Sequence, residues 1–94
     1  MKIFTYLIQS FIDNSYYTGI SENPTKRLKE HNSGKLKITS NKKPFKLVYY
    51  KEHQNYKEAR KHEKWLKKKN RKYKDNLAKH AVVAQLVEQL HGKE

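Results

Sequence analysis

Residues 3–20 read IFTYLIQSFIDNSYYTGI: an apolar run, a polar turn and an aromatic return. In an extended chain successive side chains alternate, so Phe4, Tyr6 and Ile8 share one face while Ile3, Thr5 and Leu7 share the other. Both faces are largely apolar, which predicts a central strand with material packed above and below it. Asp13-Asn14-Ser15 supplies turn residues, and Tyr16-Tyr17-Thr18-Gly19-Ile20 is the returning strand of a hairpin.

Working outward, Asn23-Pro24 offers a helix cap and a first-turn proline, and the helix it opens runs to about Asn32, where Asn32-Ser33-Gly34 stops it. Residues 35–44 read as a polar, Lys-rich loop ending in Pro44. Phe45 to Tyr50 has the residue types of a third strand. Asn55-Tyr56-Lys57-Glu58 is a capping box for a helix reaching about Lys69, and the Tyr73/Leu77 pair predicts another over 71–80. The order is β-β-α-β-α-α: an α+β fold with a small three-stranded antiparallel sheet flanked by helices, in one domain over 1–80.

The chain has 94 residues, 22 Lys+Arg, 9 Asp+Glu and a formal charge of +13. At this size a fold buries roughly two-thirds of the surface its unfolded chain exposes, too little for a second core. With no cysteine, a disulfide framework, a cysteine-ligated zinc site and a thiol nucleophile are excluded. No apolar run approaches the ~18 residues of a membrane span, and the N-terminus does not read as a cleavable signal, so a cytoplasmic, nucleoid-associated protein with no membrane partner is expected. The charge is confined to the middle: 26–46 carry +7 and 57–74 carry +8, while 1–25 and 75–94 are each −1. Aromatic residues are interleaved with it. A folded basic surface for a polyanion follows, rather than a disordered tail.

Within the second predicted helix, Ala59 and Leu66 define an apolar stripe completed by His62 and Glu63. A carboxylate on the buried side needs a cation, either a neighbouring Lys or Arg such as Lys67 or Arg60, or a divalent metal. Arg27 and His31 are four apart and share a face of a first helix whose apolar content is little more than Leu28. Tyr6 and Tyr17 lie on adjacent strands, where they could sit across from each other, although packing alone accounts for any one tyrosine among seven.

Together these positions resemble the GIY-YIG nuclease domain, particularly its small stand-alone bacterial (UPF0213-like) members, over residues 1 to about 70. Phe4-Thr5-Tyr6 stands where the family has its first tripeptide, keeping only the tyrosine, and Tyr17-Thr18-Gly19 follows ten residues further on. Asn23-Pro24 through Arg27-Leu28 to His31-Asn32 is similar to the family's first helix, Lys43 to Tyr50 to its third strand, and Glu58 to Glu63 to its metal-ligand helix. Members often carry a further asparagine after the metal-ligand helix, a part that Asn70 or Asn76 could serve here.

The resemblance implies a metal-dependent endonuclease hydrolysing DNA phosphodiester bonds. Tyr6 would be general base or proton shuttle, Tyr17 would position water or phosphate, Arg27 would neutralise the phosphate, and His31 would assist. Glu63 would bind a single Mg²⁺, with Mn²⁺ as the alternative. One carboxylate suffices for Mg²⁺, which keeps several waters and takes further oxygens from substrate. Lys26, Lys35, Lys37, Lys42, Lys43, Lys64, Lys67, Lys68 and Arg71 form the expected nucleic-acid surface. No base-reading motif is visible, so branched or flapped DNA is the expected substrate, with RNA left open. The competing readings are an inactive nucleic-acid-binding module on the same fold and a ribosome-associated basic protein, which would need no aligned Tyr/Arg/Glu set.

Residues 81–94, AVVAQLVEQLHGKE, change character abruptly. They are expected either as an amphipathic helix or as a tail translated from an adjacent tRNA gene, since Val-Val-Ala-Gln-Leu-Val-Glu-Gln back-translates to a D-arm-like sequence. A coding 3′ end that cannot pair as a tRNA cloverleaf with the DNA downstream refutes the second reading.

Overall fold

The computed structural model describes residues 2–79. The 81–94 tail and the domain boundary at 80 lie outside the described residues. Strand β1 (Ile3–Ser10) pairs antiparallel with β2 (Tyr16–Ser21) on one side and with β3 (Phe45–His53) on the other, in the sheet order β2-β1-β3. Helix α1 (Pro24–Ser33) and a short α2 (Lys37–Ser40) follow the hairpin, α3 (Tyr56–Lys67) follows β3, and residues 71–79 form a further helix, α4. The α+β class, the three antiparallel strands and the central place of β1 agree with the reading from sequence. Among the described residues, no helix is long and apolar enough to cross a membrane.

The two faces of β1 carry separate cores. Leu7, Val48, Leu66 and Ala78 pack together beneath α3 and α4, with Tyr16, Tyr49, Tyr73 and Leu77 around them. Tyr6, Ile8 and Phe45 pack on the opposite face, with Tyr17, Leu28 and Leu47. A bulge between Leu7 and Ile8 makes this division possible: Leu7 faces Tyr49 but Ile8 faces Leu47, leaving Val48 as the extra residue. The bulge shifts the alternation of β3, so Phe45 and Leu47 join the α1 side while Tyr49 stays on the α3 side.

Helix α1 begins as expected, with the Asn23 side chain accepting from the Lys26 N–H and Pro24 in its first turn, and ends at Gly34 with a left-handed φ of 83°. Its weak apolar face is supplemented by a two-bond clamp. Asn32 accepts from the Phe45 N–H at 2.6 Å and donates to the Phe45 carbonyl at 3.0 Å, tying the end of α1 to the start of β3.

The segment expected as a loop contains α2 instead. Its N-cap, Leu36, makes no side-chain cap bond, and the turn is held by buried Thr39, which bonds to α1. Strand β3 also runs three residues beyond Tyr50 because pairing with β1 continues to Ile3 and His53. Asn55 caps α3 through the Glu58 N–H, and Asn70 caps α4 through the Tyr73 N–H.

Candidate active site

Tyr6 sits in the middle of β1 on the α1 side, directly opposite Gly19 of β2. That pairing is steric: a Cβ on Gly19 would lie 2.5 Å from the Tyr6 hydroxyl oxygen and 2.6 Å from Cζ, so the phenol occupies the space a side chain would take. Tyr17 pairs with Ile8 and is the diagonal neighbour of Tyr6, rather than its direct opposite, with ring centroids 6.5 Å apart. Tyr16, one residue earlier, points to the other face and donates to Asp75 of α4. Strand alternation therefore gives one of two adjacent tyrosines to packing and the other to the site.

His31 on α1 is fully buried against these rings. Its centroid lies 5.0 Å from that of Tyr17 and 6.0 Å from that of Phe45, and its Nε2 is 2.9 Å from the Tyr6 hydroxyl. On the far side of the ring, Nδ1 is 2.7 Å from Thr39 Oγ1. Arg27, one turn earlier, pairs with Glu30 at 3.0 Å, and its guanidinium stands near the Tyr6 hydroxyl. An open polar groove of about 380 Å³ runs past it, lined in part by Ser21, Lys26, Arg27, Glu30 and Tyr56.

Burial pushes the Tyr6 phenol up to about 12, against the opposing influence of Arg27, and the charge of Glu63 adds to the rise. Burial also lowers His31 from its ordinary value, with the Arg27 charge acting in the same direction. At neutral pH Tyr6 is a neutral phenol and His31 a neutral imidazole. A standing tyrosinate is excluded for the unliganded protein; a phenol that hands on a proton is not.

Glu63 is largely buried, at 17% side-chain exposure, and meets Lys67 at 3.4 Å, so the i,i+4 ion pair expected as the ordinary alternative does form. The structure therefore brings Tyr6, Tyr17, Arg27 and His31 together, while the ion pair given for Glu63 is with Lys67 and its influence on Tyr6 is the smallest of those that act on that phenol. Asn70 is engaged as a cap. The nine candidate binding cations are all exposed, but Lys42 pairs with Asp13, Lys67 with Glu63, and Arg71 with Asp75 and the Asn14 carbonyl. The 35–46 cations lie beside α1 and α2, and those of 57–74 on α3 and α4 across the sheet. Thr39 escaped the sequence reading, since one threonine in a Lys-rich segment carries no periodic or spacing signal.

Comparison with known proteins adds an independent line. Residues 2–76 match the GIY-YIG catalytic domain. A UPF0213 protein of Listeria welshimeri is 40% identical over 65 residues, covering 68% of this chain and 72% of that protein. Another from Clostridium perfringens is 43% identical over 66 residues, covering 69% and 71%. The solution NMR structure of the UPF0213 protein BH0048 from Bacillus halodurans superposes with a TM-score of 0.52 at 32% identity, covering 84% of each chain. The names of these relatives state no activity, but the matched domain and its coverage are decisive: the chain belongs to the GIY-YIG family of nuclease domains, among its small bacterial UPF0213 members.

Proposed function

We propose that this chain is a DNA endonuclease using a single divalent metal and selecting DNA structure rather than sequence. The observation that carries this reading is the buried Tyr6 hydroxyl, held against His31 with Arg27 beside it. Burying that many polar groups in a thin core is costly, and the cost is understandable where a proton must be moved.

Family members generally use divalent metals, and the donor offered here is the Glu63 carboxylate, 17% exposed and paired with Lys67. Among the described residues there is no group of three or more His, Asp or Glu able to hold a metal, so a Mg²⁺ or Mn²⁺ bound here would keep most of its own water shell. Glu63 would hold it. When bound, the ion supplies positive charge at the scissile phosphate and at the departing oxygen.

Arg27 would bind the phosphate from the groove side, exchanging its bond to Glu30 for one to the substrate. Tyr6 would take a proton from the attacking water while passing its own to His31, so no tyrosinate need stand in the resting protein. Tyr17, packed against both rings, would hold that water in line. The exposed lysines would bind backbone phosphates without reading bases, which favours branched or flapped DNA.

The test is cleavage of flapped, branched and single-stranded DNA, with RNA as a further arm, in Mg²⁺ or Mn²⁺. Glu63→Gln and Tyr6→Phe are expected to lose at least about 100-fold in turnover while still binding DNA. Cleavage that survives Glu63→Gln overturns the mechanism. A wild type that binds every substrate and cuts none makes the chain a nucleic-acid-binding module.

A further inference from the structure

Resting on the nuclease reading, we propose that Thr39 is a positioning residue that sets the tautomer of His31 and so the direction in which the Tyr6 proton leaves. The three side chains form one buried line: Tyr6, His31 and Thr39 are 1%, 0% and 2% exposed, with separations of 2.9 Å and 2.7 Å along it.

The orientation of that line follows from its far end. The Thr39 hydroxyl donates to the Leu36 carbonyl at 3.4 Å, within the α2 turn. With its hydrogen turned there, Oγ1 presents a lone pair to His31 and accepts from an Nδ1–H at 2.7 Å, the arrangement that serves the Leu36 carbonyl and the imidazole together. A neutral imidazole carries one N–H, so Nε2 is bare, and the 2.9 Å contact is closed by the Tyr6 O–H donating. Arg27, a donor only, can take no hydrogen from the phenol, which leaves His31 Nε2 as its acceptor among the described residues.

This is the tautomer a proton relay needs. As water gives a proton to the Tyr6 oxygen, the Tyr6 hydrogen moves to Nε2. His31 becomes an imidazolium whose Nδ1–H remains bonded to Thr39, and the hydroxide formed attacks phosphorus. One proton leaves water and one arrives at His31; Thr39 neither gains nor loses one. In the opposite tautomer Nε2 carries hydrogen toward Tyr6, and the imidazole has no lone pair there to accept with. Thr39 touches no reacting atom, and its effect passes entirely through His31.

The experiment compares wild type, Thr39→Ser and Thr39→Val, reading the His31 ring ¹⁵N shifts by multiple-bond NMR and single-turnover cleavage of a flapped DNA with Mg²⁺. Wild type and Thr39→Ser are expected to show the Nδ1–H tautomer and to cleave within about threefold of each other, since serine keeps the hydroxyl. Thr39→Val keeps the shape but removes the acceptor. It is expected to lose that tautomer and about 10- to 100-fold in turnover, with DNA affinity unchanged. An Nε2–H tautomer in wild type overturns the proposal, as does a Thr39→Val protein with unchanged tautomer and turnover. The wild-type spectrum decides the tautomer even if Thr39→Val does not fold. A wild type with the Nδ1–H tautomer that cuts nothing refutes the nuclease reading and leaves the tautomer assignment standing.

Discussion

Replacing Gly19 by alanine would put a methyl carbon where the Tyr6 phenol now lies. The new Cβ would stand 2.5 Å from Oη, 2.6 Å from Cζ and 3.0 Å from Cε2, against an ordinary carbon contact of about 3.5 Å or more. The ring must retreat by roughly 1 Å, and Tyr6 is 1% exposed, so there is no free space to retreat into. Gly19 is not in the left-handed region, so the penalty is contact rather than backbone strain. Overpacking of this kind costs about 1–3 kcal/mol of stability. The functional effect should be larger. A 1 Å shift can carry the hydroxyl out of reach of His31 Nε2, now 2.9 Å away, and a misplacement of that size costs about 100-fold in rate. The assay is single-turnover cleavage of a flapped DNA, alongside urea unfolding. Gly34→Ala is the control: its φ of 83° makes alanine strained, at about 1–2 kcal/mol, yet the atoms it would crowd belong to the flexible end of Lys43. The two variants should lose similar stability and differ by about two orders of magnitude in turnover. Equal turnover would refute the claim that the phenol position governs the chemistry.

Two further outcomes follow from the same geometry. His31 is buried and neutral with its pKa lowered from 6.5, so the unfolded chain binds a proton that the folded one does not as pH falls below about 6.5. The stability associated with it is complete above that pH and is lost on acidification toward the folded value, at up to about 1.4 kcal/mol per pH unit. His53 and His62 shift in the same direction. Urea midpoints between pH 7.5 and 5 check this, and a flat profile below 6.5 contradicts it. In DNA binding, Lys26, Lys35, Lys37, Lys43, Lys64 and Lys68 form no ion pair with a described residue, which predicts a log–log salt slope of about −5. Lys64→Ala should reduce its size by about 1, and Lys67→Ala by less because Lys67 is already paired with Glu63. A slope near zero would contradict a phosphate-binding surface.

What the amino-acid sequence determined by itself is what local chemistry determines. Alternation in residues 3–9 set β1 as central, the Asn23 and Asn55 caps set helix starts, and the Ala59/Leu66 stripe put Glu63 on the inward side of α3. These signals depend on neighbours within a turn or along a strand. The line of tyrosine, arginine, histidine and glutamate positions was legible through its resemblance to a nuclease family, not through spacing alone.

Only the tertiary structure decided the rest, because each deciding contact joins residues that are far apart in sequence or was set by a partner element. The Val48 bulge exists only in the pairing of β3 with β1, yet it determines which residues of β3 face the site. The Asn32 clamp on Phe45 holds a helix too polar to dock by hydrophobic burial. Tyr17 became a diagonal neighbour of Tyr6 because Gly19 had to stand opposite the phenol. Thr39 gained its role from His31, eight residues earlier, and Tyr6 its pKa of about 12 from burial beneath α1. Pattern is inherited from neighbours in the chain, but desolvation and hydrogen-bond direction are properties of the assembled site.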